Sequence, residues 1–421
     1  MDELAFRIPQ FYEALSVVPP APNSSAAEDE TYWSSVRKLY LVSNRPVNLE
    51  NGFWGTMAEP VKDMFHYWID RVNYENTLLI RPHWPRLLDG LRHSVATALG
   101  CGDDEIVLTR GATEAMQALI GGYNRLRPGD EVMYADLDYP AMRDAMQWLR
   151  IRRQVVPVEV SIPEPASRTA VLDAYAEALR QHPGTKLVLL SHVCFGTGLV
   201  MPVREISALA QHAGADVIVD AAHAWGQMDF SAPDLGAPYA AFNLHKWIGA
   251  PLGCGCLYIR RDALTAIDPF MGDHQYRETD IRSRVHTGAP NFAAWLTIPA
   301  ALDVHRHIGP RQKEWRLRKL RNDWAIPARQ LPNLDIQTPD DPSMVAGITS
   351  FRLHGHGSME ACQAIVTRLR DVHGVHTVHR AGPAKGNVVR VTPSIATLPE
   401  DMARLLAGLR ALSGEALDIP H

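Results

Sequence analysis

The strongest constraint in this sequence is an alternation of short apolar runs with helix-like stretches between residues 86 and 259. Strand candidates fall at 105–108, 131–134, 154–160, 187–190, 217–219 and 256–259, with helical segments between most of them. In 86–99 the helical spacing is explicit, with Leu87, Leu88, Leu91, Val95 and Leu99 recurring on one face. Strands that alternate with helices predict an α/β fold with a mostly parallel central sheet. From about 299 the texture changes: a long Arg/Lys-rich helical stretch at 304–331 precedes strand candidates at 348–353 and 388–391. Helical patterns at 359–370 and 399–412 accompany those strands. We therefore expect a lead-in at 1–45, a large domain at 46–298 and a smaller C-terminal α+β domain at 299–421. The turn-rich, acidic run 19–30 suggests that the lead-in is flexible.

At 421 residues the chain is long enough to bury a substantial core. The balance of 42 Lys+Arg against 47 Asp+Glu gives a net charge of −5, which argues against nucleic acid or an anionic membrane as partner. Five cysteines, an odd number, fit a reduced protein rather than a disulfide scaffold. Residues 14–18 form an apolar stretch that Pro19-Pro20 cuts too short for a signal peptide or a span. The expected location is cytoplasmic.

The chemistry concentrates in two segments. Val217-Ile218-Val219-Asp220-Ala221-Ala222-His223 places an acid at the carboxyl end of a buried strand, where open α/β sheets bind ligands. Asn243-Leu244-His245-Lys246-Trp247 then sets a lysine among apolar and small neighbours, with Lys246 standing 26 positions after Asp220. Burial lowers the pKa of a lysine and makes it an amine able to form a Schiff base. A buried carboxylate facing a pyridine nitrogen would hold that nitrogen protonated, as pyridoxal phosphate requires of its site. No metal is expected: Cys254/Cys256, His305/His307 and His354/His356 lack further ligands at metal spacing. The basic run 311–321 reads as a solvated helix face with Trp315, Leu317 and Leu320 turned inward.

On these two segments the chain resembles the class V enzymes of aspartate-aminotransferase fold that depend on pyridoxal 5'-phosphate. It is most similar to their isopenicillin N epimerase-like branch, and more distantly to the group II cysteine desulfurases, over most of 45–412. The resemblance implies that Lys246 carries the cofactor, Asp220 partners its ring nitrogen and His223 meets its hydroxyl. It places His245 and Asn243 at the phosphate, together with Gly111, Ala112 and Thr113 of the turn Arg110-Gly111-Ala112-Thr113-Glu114. A turn that opens a helix presents free N–H groups to such a dianion. Tyr139 falls where the family stacks an aromatic on the ring, and Phe195 makes the neighbouring face apolar. Arg390 matches the arginine that grips the substrate carboxylate, and Gly52, Phe53 and Trp54 match the loop lining the substrate pocket.

Two departures stand out. The loop 284–291, which in the family reaches a neighbouring subunit's phosphate, has Ala289 in place of threonine, leaving Thr287 or a backbone N–H for that contact. The stretch 380–386 has no cysteine where desulfurases carry their catalytic one, which disfavours an enzyme-bound persulfide. The resemblance implies a homodimer with shared active sites and a small-molecule amino-acid or peptide-linked substrate. The main expectation is chemistry at the α carbon of the epimerase or transaminase type. The alternative is an oxidative decarboxylase or a lyase tailoring a larger or peptide-linked amino acid in siderophore or antibiotic biosynthesis. A cofactor-binding scaffold that has lost turnover is the reading from another class, motivated by Ala112 and Ala289.

Overall fold

The computed structural model describes residues 9–22, 26–43 and 45–414. The chain opens with α1 (Pro9–Leu15) and α2 (Glu30–Arg37), the latter capped by Asp29, which accepts the Tyr32 N–H. After the short strand β1 (Val47–Asn48) come α3 (Glu59–Glu75) and α4 (Thr77–Leu99). Helix α4 starts before the predicted 86–99 and runs through Pro82 and Pro85. Leu79 and Leu87 on either side of the prolines are both buried in one core, and that packing overrides the helix-breaking tendency. Gly100 ends the helix in the left-handed conformation.

The large domain then alternates as predicted: β2 (Ile106–Thr109), α5 (Ala112–Gly122), β3 (Glu131–Ala135), α6 (Pro140–Arg153), β4 (Val156–Val160), α7 (Arg168–Gln181), β5 (Thr185–Ser191), α8 (Val203–His212) and β6 (Asp216–Asp220). Strands β7 (Tyr239–Asn243) and β8 (Gly255–Ile259) complete a seven-stranded sheet of order β2-β8-β7-β6-β5-β3-β4. Neighbours from β7 across to β4 pair parallel, whereas β8 is antiparallel to both β7 and β2. Both faces of the sheet are covered, so its central strands are apolar on successive residues rather than alternating. Val217 and Val219 face one core with Ala240 and Phe242; Ile218 faces the other with Tyr239 and Ala241. Helices α5 and α6 supply Met116, Leu119, Met142 and Met146 to this second core.

Helices α9 (Phe292–Leu296), α10 (Ile298–Ile308) and α11 (Pro310–Ala328) follow. The single helix expected at 304–331 is thus two, broken where Gly309 at φ +93° meets Pro310. The smaller α+β domain contains β9 (Leu334–Ile336), β10 (Thr349–Leu353), α12 (Met359–His373), β11 (Val375–His376), β12 (Val378–Arg380), β13 (Val388–Val391) and α13 (Pro399–Gly414). Its antiparallel sheet has the order β12-β13-β10-β9.

Two expected boundaries move. The core changes over inside α11 rather than at 298/299: Ala301, Leu302, Val304 and Leu317 pack with the large sheet, whereas Leu320 and Trp324 pack with the small domain. The described helices of the lead-in are packed, because Phe11, Leu15, Trp33 and Val36 sit in the main core; residues 23–25 of the run expected to be flexible lie outside the described residues. Buried Arg316 holds α2 in place through a forked pair to Glu30 at 2.5 and 3.0 Å and lies over the Trp33 ring. Strand β1 pairs parallel with β11, so the segment after the lead-in belongs to the small domain's core. No helix of the described residues is long and apolar enough to cross a membrane.

Candidate active site

The carboxyl ends of β2, β5, β6 and β7 and the start of β8 lie along one sheet edge, and a cavity of about 740 Å³ opens there. Asp220, the last residue of β6, is buried between Ser191 of β5 and Ala241 of β7. One carboxylate oxygen accepts the Ala222 N–H at 3.1 Å. Burial pushes its pKa up, while that hydrogen bond and the charge of Lys246 pull it down.

Lys246 sits in a turn whose backbone is fixed from several sides. The Gly55 N–H donates to the His245 carbonyl at 2.9 Å, so close that a Cβ on Gly55 would fall 1.9 Å from the Lys246 carbonyl oxygen. From the other side Lys313 donates to the Trp247 carbonyl at 2.8 Å. The Lys246 amine lies 3.0 Å from His223 Nε2, and His223 Nδ1 accepts from Trp247 Nε1 at 3.4 Å. With Nδ1 an acceptor, the neutral ring carries its proton on Nε2 and donates to the amine, which must then offer its lone pair. Burial drives Lys246 down to about 8, so the uncharged amine predominates only above that pH, and drives His223 well below its ordinary value.

At the other end of the cavity Gly111 opens α5 with no side-chain cap. Its turn packs against β8 so tightly that a Cβ on Gly255 would lie 2.5 Å from the Gly111 Cα. Ala112 was expected to offer its N–H to a phosphate, but that N–H donates to Asn243 Oδ1 at 2.8 Å. The donors left at this helix start are the N–H groups of Thr113 and Glu114 and the Thr113 hydroxyl. The neighbouring His245 is anchored through Nδ1 to the Cys254 carbonyl at 2.9 Å, which leaves Nε2 for a ligand. A dianion-binding helix start, an amine and a buried acid thus share one cavity. This arrangement fits pyridoxal phosphate.

Of the other expected residues, Gly52, Phe53, Tyr139, Phe195 and Arg390 line the same cavity, with the Tyr139 and Phe195 rings edge to face at 5.2 Å. Trp54 does not line it; its ring leans on Phe53 at 4.9 Å on the exposed side of the loop. Thr287 also lies outside the cavity of its own chain. Arg380 and Gln117 line the cavity without having been singled out, and Glu50 stands directly behind it, bonded to Arg390 at 2.6 Å. Glu50 belongs to the same loop, 48–55, as Gly52, Phe53 and Trp54, but nothing in a linear sequence says that residue 50 meets residue 390. No cysteine is among the residues lining this cavity, and Cys194 next to Phe195 is buried with its thiol pushed up by desolvation.

The family model for aminotransferase class-V matches residues 83–392. The chain belongs to the class-V aminotransferase family. Its curated relatives include an isopenicillin N epimerase from Streptomyces clavuligerus, 26% identical over 91% of this chain and 99% of the relative. A probable cysteine desulfurase from Methanothermobacter thermautotrophicus is 28% identical over 64% of this chain and 68% of the relative. Among solved structures, the cystine C–S lyase C-DES with its product cysteine persulfide superposes with a TM-score of 0.75. The identity is 22%, covering 87% of this chain and 98% of the other. This class-V protein is a pyridoxal-phosphate-dependent enzyme that acts on an amino-acid substrate.

Proposed function

We propose that this class-V enzyme is of the lyase type: it removes the α proton of an amino acid and expels a substituent from the β carbon. The observation that carries the reading is a cavity with one amine base beside a buried acid and with no cysteine on its walls. Bound cofactor supplies an electron sink that acidifies the bonds at the α carbon. Arg390 takes the substrate carboxylate with its planar fork, which fixes the α carbon near Lys246. Asp220 would hold a proton at the cofactor's ring nitrogen. The Thr113 and Glu114 N–H groups and His245 would hold its phosphate, and Tyr139 and Phe195 would give its ring aromatic contact.

Lys246, oriented by His223, would accept the α proton on Nζ. The Cβ–X bond then breaks with the electron pair leaving on X, and water converts the remaining fragment into ammonia and a 2-oxo acid. With no wall thiol to receive it, X departs as a free product, as expected of a C–S lyase rather than of an enzyme-bound persulfide. The epimerase relative that matches along 99% of its length supports a second reading, in which Lys246 returns the proton and nothing is expelled. A homodimer, with the loop carrying Thr287 reaching across to the partner, belongs to the same proposal.

The test incubates holoenzyme in deuterated water with β-substituted amino acids such as cysteine and with alanine. A 2-oxo acid and ammonia from the β-substituted substrates support the lyase. Deuterium at the α carbon without loss of the β substituent would replace it by the epimerase reading, and release of CO₂ would overturn both. Lys246→Ala should lower any of these rates by roughly 10⁴, the scale of a lost general base.

A further inference from the structure

The arginine expected at the substrate carboxylate is not alone. Glu50 Oε1 accepts from Arg390 Nη2 at 2.6 Å and from Arg380 Nη2 at 3.0 Å. Arg390 Nη1 donates to the Phe195 carbonyl at 2.8 Å, and the Arg390 side chain is only 2% exposed. The second Glu50 oxygen and Arg390 Nε are both buried without a partner among the described residues. Glu50 is held rigidly by its neighbours. Leu49 accepts the Thr392 N–H at 2.8 Å, and Asn51 donates to the Thr392 carbonyl through both its backbone and its side chain. Gly52 then passes so close to the guanidinium that a Cβ there would lie 2.7 Å from Arg390 Nη2.

Resting on the reading of Arg390 given above, we propose that Glu50 is a specificity-determining residue that selects substrates with one carboxylate and no anionic side chain. Two guanidinium groups share one carboxylate at this end of the cavity, which leaves a single net positive charge facing the substrate. Elsewhere on the wall Arg110 is already paired with Glu114 at 2.6 Å, so it offers no free charge to a second anionic group. One substrate carboxylate neutralises the Arg380–Glu50–Arg390 cluster. A second would be repelled by the buried Glu50 carboxylate just behind that wall, where like charges are little screened.

Holoenzyme is titrated calorimetrically with propanoate and with succinate, two unreactive carboxylates that differ in charge. Glu50→Gln keeps the side chain's shape and removes its charge; it is expected to raise the preference for succinate over propanoate by roughly tenfold. A Glu50 that served only to shape the loop would leave that ratio fixed while both ligands weakened together, and this result overturns the proposal. Arg380→Gln provides a second variant with the opposite sign, expected to weaken propanoate roughly tenfold by cancelling the net charge; unchanged binding there also overturns it. Arg390→Gln separates the two readings. If both ligands bind it as they bind the parent, the assignment of Arg390 fails; if both are lost while Glu50→Gln changes no ratio, only the role of Glu50 fails.

Discussion

Lys246 and Lys313 are both withdrawn from water, and for each the uncharged form is the one the fold accommodates. Burial brings Lys246 to about 8 and Lys313 to about 7, where Lys313 also lies 3.1 Å from His305 Nδ1. In an unfolded chain each would titrate near ~10.4. Above that pH both states are neutral and neither lysine penalises folding. As pH falls, the unfolded chain takes up protons that the folded one refuses, so stability is lost down to about 7 and the loss is then complete. Cofactor-free protein should therefore become more stable from pH 7 to 9. Lys313→Met should flatten that rise by about 1.4 kcal/mol per pH unit, read from urea midpoints. A variant that keeps the parental slope would show that Lys313 is charged in the native protein. At this scale the sequence exposed Lys246 by its apolar company, whereas Lys313 sits in a run that reads as a solvated basic face. Its burial under Trp247 depends on how α11 docks, and local pattern carries no information about docking.

The elements meet tightly where β8 crosses the turn before α5. The space between Gly255 and Gly111 admits no Cβ, so Gly255→Ala must shift the turn that presents the Thr113 and Glu114 N–H groups. We expect a loss of about 1–3 kcal/mol in stability and weaker cofactor binding, measured by thermal midpoint and by absorbance titration. Unaltered cofactor affinity would show that the turn tolerates the shift. Six strands of the large sheet were readable because their apolar runs are bounded by turns, whereas β7, between the two chemistry-bearing segments, was not among the expected strands. The reversal of β8 was not readable either, since an apolar run has the same pattern in either direction. The break between α10 and α11 was marked by Gly309-Pro310, but the polar texture around it reads as one continuous helix.

Over the whole molecule the main core of the large domain and the core of the small domain, joined through α11, keep the sheet edge and Arg390 in one geometry. Trp324 is fully buried in the small-domain core, edge to face with Phe351 at 6.3 Å. Trp324→Ala should cost about 3–5 kcal/mol and loosen the small domain, and with it Arg390, before the large sheet unfolds. Denaturation followed both by far-ultraviolet dichroism and by bound-cofactor absorbance tests this, since coincident transitions would mean that the two cores unfold as one.

The sequence by itself determined the α/β class, the position of Asp220 at a strand end and the apolar company of Lys246, because each depends on residues close together in the chain. Only the tertiary structure decided that the N-terminal segment is packed, that Ala112 spends its N–H on Asn243, and that Glu50 ties Arg380 to Arg390. Those contacts join residues 131 and 340 positions apart, and their geometry is set by how whole layers pack rather than by any local preference.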